Sequence, residues 1–97
     1  MNMTPDAYLQ VRFKTHDEGG RKTPVTGDYY ACPLFVDGEG FECRLLIDGK
    51  TLALGQWYEL PVKFMNKELV VPKLSVGKVV TLWEGKDVGL GKILKLA

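Results

Sequence analysis

The residues most able to do chemistry lie in one ten-residue segment, HDEGGRKTPV, which runs from position 16 to position 25. An acidic pair precedes a twin glycine, a basic pair follows it, and no apolar side chain occurs before Val25. Such a polar run is typical of a solvated hairpin loop. It is also compatible with a loop that binds a charged partner, so both interpretations stay open at this point.

Catalysis and metal binding are not indicated by these residues. The chain has one histidine, His16, and one serine, Ser75, which are far apart in the sequence and do not suggest a hydrolase triad. His16, Asp17 and Glu18 are adjacent, and neighbouring residues of an extended chain point to opposite faces, so we expect no metal site. We therefore predict that the chain is not an enzyme and has no cofactor.

Nucleotide binding is not predicted either. The stretch GLGK at positions 89–92 lacks the spacer and the following Ser or Thr of a phosphate-binding loop. Gly89 and Gly91 are instead interpreted as positions where a tightly coiled strand passes close to its neighbour.

The polar loop follows a strand that is predicted over Tyr8 to His16. Leu9, Val11 and Phe13 alternate with Gln10, Arg12, Lys14 and His16, which predicts one buried face and one basic outer face. Because that outer face runs directly into the loop, four basic residues are expected to form one patch and to be the binding residues: Arg12, Lys14, Arg21 and Lys22.

The remaining apolar runs predict further strands over 29–36, 41–47, 50–54, 57–65, 79–83 and 88–96. Asp37-Gly38 and Asp48-Gly49 are each predicted to form a hairpin turn, giving two successive reversals in a meander. Pro61 must lie at an edge or a bulge, since it has no N–H to donate. Without a sustained helical period, the fold class is all-β, either a sandwich or a small closed barrel. Closure is favoured because it removes unpaired edges.

Length and composition are consistent with one domain spanning residues 1–97, with residues 1–7 as a flexible tail. The net charge of +1 excludes a strongly basic nucleic-acid binder but leaves room for a local basic patch. No secretion signal and no apolar run of about 20 residues is present, so no membrane association is expected and a cytoplasmic location is predicted by default.

The two cysteines require a separate prediction. A two-residue turn at Asp37-Gly38 places Cys32 opposite Cys43 at a separation compatible with a disulfide. A cytoplasmic chain keeps its thiols reduced, so both are predicted to be free.

Three motifs resemble the third domain of elongation factor Tu. They are DEGGRKTPV with Gly27 and Tyr29 after it, then LALGQWYELPVKF, then LWEGKDVGLGKILKL, and together they extend over about residues 8–97. The resemblance implies a six-stranded antiparallel closed barrel that stands without the factor's GTPase domain. In that family the domain contacts the backbone of aminoacyl-tRNA, packs against the GTPase domain and contacts the nucleotide-exchange factor.

Carried over by position, the resemblance implies that Arg21 and Lys22 belong to a surface that faces tRNA. It implies a loop-shaping role for Gly19, Gly20, Pro24, Gly89 and Gly91. The sequence departs from the family pattern at three places, each of which removes a basic or polar contact group: residues 30–33 (YACP), residues 37–40 (DGEG) and residues 86–87 (KD).

The expected function is that of a non-catalytic binding module that contacts a tRNA-like RNA backbone or a translation-related protein. Phosphate contacts of this kind position a backbone without reading bases. The alternative is a decoy that mimics elongation factor Tu for a regulator or toxin and binds no RNA. A ligand inside the barrel is not expected, because about six strands leave an interior that side chains fill.

Overall fold

Alternation of apolar and polar residues directs one face of each long strand to the inside of a closed barrel. The computed structural model describes residues 4–97. The barrel strands are β1 (Ala7–Phe13), β3 (Tyr29–Val36), β4 (Glu39–Leu46), β6 (Trp57–Phe64), β7 (Val79–Trp83) and β8 (Asp87–Leu96). They close antiparallel in the order β1-β6-β4-β3-β7-β8, so the prediction of a small six-stranded barrel is confirmed.

The interior is filled by side chains that alternate along every strand. Leu9, Val11 and Phe13 of β1 are completely buried, as their spacing predicted. Strand β1 ends at Phe13, and His16 lies in a 3-10 turn after it, so the predicted strand is too long at its carboxyl end. The other large, fully buried side chains come from all parts of the barrel: Leu34, Leu45, Ile47, Leu52, Phe64, Leu82 and Ile93.

The first Asp-Gly pair forms the tight hairpin turn that the sequence predicted. Asp37 and Gly38 both have positive φ, 50° and 82°, as a two-residue turn of the type I′ class requires. The turn sets the β3–β4 register, and Cys32 lies directly opposite Cys43.

The prediction of a second hairpin turn at Asp48-Gly49 is wrong. The short strands β2 (Val25–Thr26) and β5 (Thr51–Leu52) pair with each other in a separate two-stranded sheet. The N–H groups of Ile47 and Asp48 donate to the Asp28 carbonyl and connect this sheet to the β3–β4 ladder. The chain advances three residues from Thr26 to Tyr29 but five from Leu46 to Thr51, so two extra residues on one strand form a bulge. The Asp-Gly pair keeps its turn dihedrals, with φ of 58° and 76°, but it bends one long ribbon.

A short helical segment covers the end of the barrel at which β6 ends and β7 begins. The helix α1 (Lys67–Val70) and a 3-10 turn (Val71–Lys73) connect β6 to β7, and they bury Val70 and Leu74 against the core. The sequence was interpreted as having no helix. Four helical residues are too few to produce a recognisable 3.6-residue period, which explains the omission.

Pro61 and the glycines of β8 are placed as their chemistry requires. The carbonyl of Val62 accepts the N–H of Asp6 on the β1 side, so the nitrogen of Pro61 faces β4. The β4–β6 ladder ends at Val62, and Pro61 therefore lies at a local edge.

A side chain at Gly89 or Gly91 would lie 3.0 Å from a side-chain carbon of Leu82 or Val80, respectively, so β8 packs tightly against β7.

The last two residues of the predicted flexible tail, Asp6 and Ala7, belong to the barrel, so the prediction is wrong for them. Ala7 begins β1, and Asp6 is 8% exposed. The Asp6 carboxylate accepts the backbone N–H of Phe64 at 2.9 Å and pairs with Lys63 at 3.4 Å. Residues 1–3 of that predicted tail lie outside the described part of the chain.

Cys32 and Cys43 are free thiols, 3% and 1% exposed. A hydrogen bond to Cys32 and burial in the core both raise the pKa of the Cys43 thiol. The thiolate is the reactive form, so the Cys43 position does not favour a nucleophile.

We expect a thiol-reactive dye to modify neither cysteine rapidly in the native protein, because both thiols are buried. Both should react once urea unfolds the chain without reductant. Modification monitored by absorbance tests this, and failure to find two thiols after unfolding would contradict the free-thiol assignment.

Candidate functional site

The polar loop after β1 has a defined local structure. Thr15 caps the 3-10 turn His16–Glu18. Thr15 and Glu18 form a capping box, in which the Thr15 N–H donates to the Glu18 carboxylate at 2.8 Å. The carboxylate and the threonine hydroxyl thus satisfy backbone groups at the start of the turn. Gly19 ends the turn in the left-handed region with φ of 89°.

The two glycines have different functions in this loop. At Gly19 there is open space for a side chain, but the positive φ disfavours any residue with a Cβ. At Gly20 a Cβ would lie 2.2 Å from the carbonyl oxygen of Lys14, which no side chain tolerates. The Gly20 N–H also donates to the Thr15 carbonyl at 2.9 Å, so the chain folds closely back on the end of β1.

The rest of the loop returns the chain to the barrel. Pro24 is exposed and directly precedes Val25, the buried residue that begins β2. The loop lies at the end of the barrel that also carries the turn between β7 and β8, because Arg21 of the loop pairs with Glu84 of that turn.

The structure brings the four predicted basic residues to this end of the barrel, and the first two are held by carboxylates. The guanidinium of Arg12 contacts Glu18 at 3.1 Å, and its Nε donates to the Gly55 carbonyl at 3.2 Å. The ammonium of Lys14 lies 3.5 Å from the Asp87 carboxylate. The outer face of β1 is therefore charge-balanced.

Arg21 is held by a cluster that consists of Arg21, Tyr30 and Glu84, the loop cluster. The guanidinium pairs with Glu84 at 2.5 Å, lies 5.3 Å from the centre of the Tyr30 ring, and donates to the Thr23 carbonyl at 3.2 Å. The Tyr30 hydroxyl also donates to Glu84. The Tyr30 ring packs edge-to-face on Phe13 at 5.3 Å, which ties the cluster to the core.

The pKa shifts are consistent with this pairing. Burial acts to raise the pKa of Glu84, but hydrogen bonds from Tyr30 and Arg21 outweigh it, and the pKa is lowered. Burial acts to lower the pKa of Arg21, but Glu84 outweighs it and the pKa is raised. The pKa of Glu18 is lowered, first by the backbone hydrogen bond from Thr15 and then by the one from Arg12. The Glu18 and Glu84 carboxylates, which face Arg12 and Arg21, are thus charged at neutral pH.

Lys22 differs from the other three basic residues. It is exposed, and among residues 4–97 no carboxylate oxygen lies within 4.0 Å of its ammonium. The four residues that were predicted to form a basic patch therefore form a surface on which a single cation is available to a ligand.

The histidine and the serine lie in different connections of the chain. His16 is exposed at the start of the 3-10 turn, and Ser75 lies in the connection between the helical segment and β7. Within the described residues 4–97, no group of three His, Cys, Asp or Glu side chains could hold a metal ion.

The residues that sequence reasoning missed are Tyr30, Glu84 and Asp87. Arg21 and Glu84 are 63 positions apart, and Tyr30 and Glu84 are 54 apart, so no local spacing connects them. The only available signal was the opposite charge of two motifs. Glu84 and Asp87 lie in LWEGKDVGLGKILKL, and the basic pair lies in DEGGRKTPV.

No helix among the described residues is long and apolar enough to cross a membrane. No protein-family model and no curated protein matches this chain.

We predict that Gly20→Ala destabilises the protein more than Gly19→Ala. The first substitution forces a Cβ into the Lys14 carbonyl and should cost about 3 kcal/mol, as overpacking does. The second adds only the strain of a left-handed residue and should cost about 1 kcal/mol. Urea unfolding of both variants measures the difference, and equal losses would contradict the close approach at Gly20.

We predict that the Arg21–Glu84 pair stabilises the protein at pH values above the pKa of Glu84 and not at pH values below it. Its pKa is lowered by folding, so its contribution is complete above the ordinary value of 4.5 and is lost as the pH falls through the lower folded value. Since Glu84 is 48% exposed, the contribution should be below about 1 kcal/mol. Urea unfolding of the wild type and Glu84→Gln from pH 7 to pH 3 should show a difference that disappears in acid; a constant difference would contradict the pairing.

Proposed function

We propose that this chain is a non-catalytic binding module of the kind found as the third domain of elongation factor Tu, and that its partner is a translation-related protein. The three sequence motifs that resemble that domain support this proposal. The closed six-stranded barrel is also the fold that the resemblance implies.

The ion pairs of the basic residues are the observation that favours a protein partner over RNA. Arg12, Lys14 and Arg21 each face a carboxylate of the same chain. RNA phosphates would have to displace these carboxylates and would be repelled by them. Non-specific binding to a nucleic-acid backbone gains its free energy from counterion release, which requires free cations.

A protein partner suits a surface of this kind better. The loop cluster holds Arg21 in one orientation, and the capping box holds the preceding turn. A loop ordered before binding loses little conformational entropy on association. Paired charges of both signs can hydrogen-bond to a partner of matching pattern, and Lys22 supplies the free charge at the tip.

The decoy interpretation uses the same surface. A chain that mimics elongation factor Tu would occupy a regulator or toxin that normally contacts the factor's third domain. Competition distinguishes the two interpretations, because a decoy is displaced from its partner by added elongation factor Tu.

We expect the purified, tagged chain to retain translation-related proteins in a pull-down that includes nuclease. Arg21→Ala combined with Lys22→Ala should reduce this retention about tenfold, because it removes one anchored and one free cation from the binding loop. Lys67→Ala, in α1 at the other end of the barrel, is the matched control and should have no effect. Quantitative mass spectrometry gives the readout, and circular dichroism checks that the fold is unchanged.

Direct titration with transfer RNA tests the alternative that RNA is the partner. Fluorescence anisotropy should show weak binding with a salt slope of about one, as expected for a single phosphate contact at Lys22. A slope of about four, together with loss of the retained proteins after nuclease, would establish RNA as the partner and overturn the proposal.

A further inference from the structure

The outer face of β7 and its neighbours carries apolar side chains that no part of the described chain covers. Val79 is 58% exposed, Trp83 is 43% exposed and Leu90 is 41% exposed. With Phe35 and Thr81 they form what is called here the Thr81 face. Large exposed apolar side chains occur singly on most proteins, but a contiguous group marks an interaction surface.

Strand register makes this group contiguous. Thr81 pairs with Phe35 of β3 on one side and with Leu90 of β8 on the other. Val79 and Trp83 precede and follow Thr81 on the same face of β7, since side chains alternate along a strand. The short central side chain leaves a hollow of about 530 Å³ lined by Phe35, Val79, Thr81 and Trp83. One or two apolar side chains of a partner fit a hollow of this size.

The aromatic wall of the hollow is already in place. The Phe35 ring lies over Gly40, where a Cβ would meet its Cζ at 2.8 Å, so the glycine makes room for the ring. The ring also packs against Trp83 with 5.9 Å between centres. Aromatic side chains held in this way contribute strongly to binding because little rotamer freedom remains to be lost.

The charges around the Thr81 face specify the partner. Its two carboxylates are neutralised, Asp37 by Lys78 at 2.8 Å and Asp87 by Lys14 at 3.5 Å. Lys92 is exposed opposite Val79, and Lys86 is exposed in the turn that follows Trp83. Among residues 4–97 no carboxylate oxygen lies within 4.0 Å of either ammonium. The surface therefore combines an apolar hollow with two free positive charges at its rim.

We infer that the Thr81 face binds an acidic segment of another protein, with one apolar side chain seated over Thr81 and flanking carboxylates that contact Lys86 and Lys92. This inference goes beyond the proposed function, because the loop cluster and Lys22 take no part in it. Complementary rim charges set the choice of partner and the rate of association, while the apolar side chain provides most of the affinity.

The test is a nuclear magnetic resonance titration of the full chain with a short synthetic peptide in which Phe and Leu alternate with Asp and Glu. Backbone amide shifts are expected in residues 79–83 and 90–92. Trp83→Ala should weaken binding at least tenfold. Lys86→Glu and Lys92→Glu should each weaken it about threefold, as exposed ion pairs do. Because both lysines are exposed, these two variants keep the test valid if Trp83→Ala disturbs the barrel.

Matched controls separate this surface from the rest of the molecule. Trp57→Ala removes the other tryptophan, which is 49% exposed on β6, and should leave the affinity unchanged. The Arg21→Ala, Lys22→Ala variant should also bind the peptide normally, so loss of the proposed loop function does not affect this test.

Several results would overturn the inference. They are the absence of shifts at millimolar peptide, shifts centred on another face, equal affinity for a peptide with Asn and Gln in place of the acids, and equal affinity for a lysine-containing peptide. Concentration-dependent shifts of the same residues without peptide would assign the face to a second copy of the chain and would also overturn it.

Discussion

The close packing of β8 between β1 and β7 is the constraint on which the rest of the molecule depends. A six-stranded barrel closes around a narrow interior, so the last strand must approach its neighbours closely. Gly89 and Gly91 allow this, because at each position a Cβ would lie within 3.3 Å of a β1 carbonyl oxygen and 3.0 Å from a β7 side chain. Without that approach the first and last strands would present free edges.

Closure also determines where the charged groups meet. It places the β7–β8 turn beside the loop that follows β1, so Glu84 reaches Arg21 and Asp87 reaches Lys14. The same strand arrangement aligns Phe35, Thr81 and Leu90 across three strands on the outside. One end of the barrel is thus polar, with Arg12, Lys14 and Arg21 in ion pairs, and one side of the barrel is apolar with lysines at the rim.

Both surfaces are held before any partner arrives. The Tyr30 ring joins the loop cluster to Phe13 in the core, and Gly40 accommodates the ring of Phe35. A closed barrel whose interior is filled by buried side chains presents its binding groups in fixed positions, so they lose little freedom on association. The proposed protein partner and the proposed acidic segment both rely on this property.

The sequence by itself determined the features that depend on neighbours along the chain. Alternation of Leu9, Val11 and Phe13 specified the buried face of β1, and the dihedral preference of Asp37-Gly38 specified the β3–β4 hairpin and the Cys32–Cys43 register. The positions of Pro61 and of the β8 glycines followed from the missing N–H and the missing Cβ. These are local constraints, which act the same way in any fold.

Only the tertiary structure decided what depends on residues far apart. Asp48-Gly49 has the same turn dihedrals as Asp37-Gly38, yet it becomes a bulge because β5 finds its partner in β2. Arg21 is part of an ion pair and not a free phosphate ligand, because closure brings Glu84 to it across 63 positions. A charge acquires its function from the groups around it, and those groups are assembled by folding.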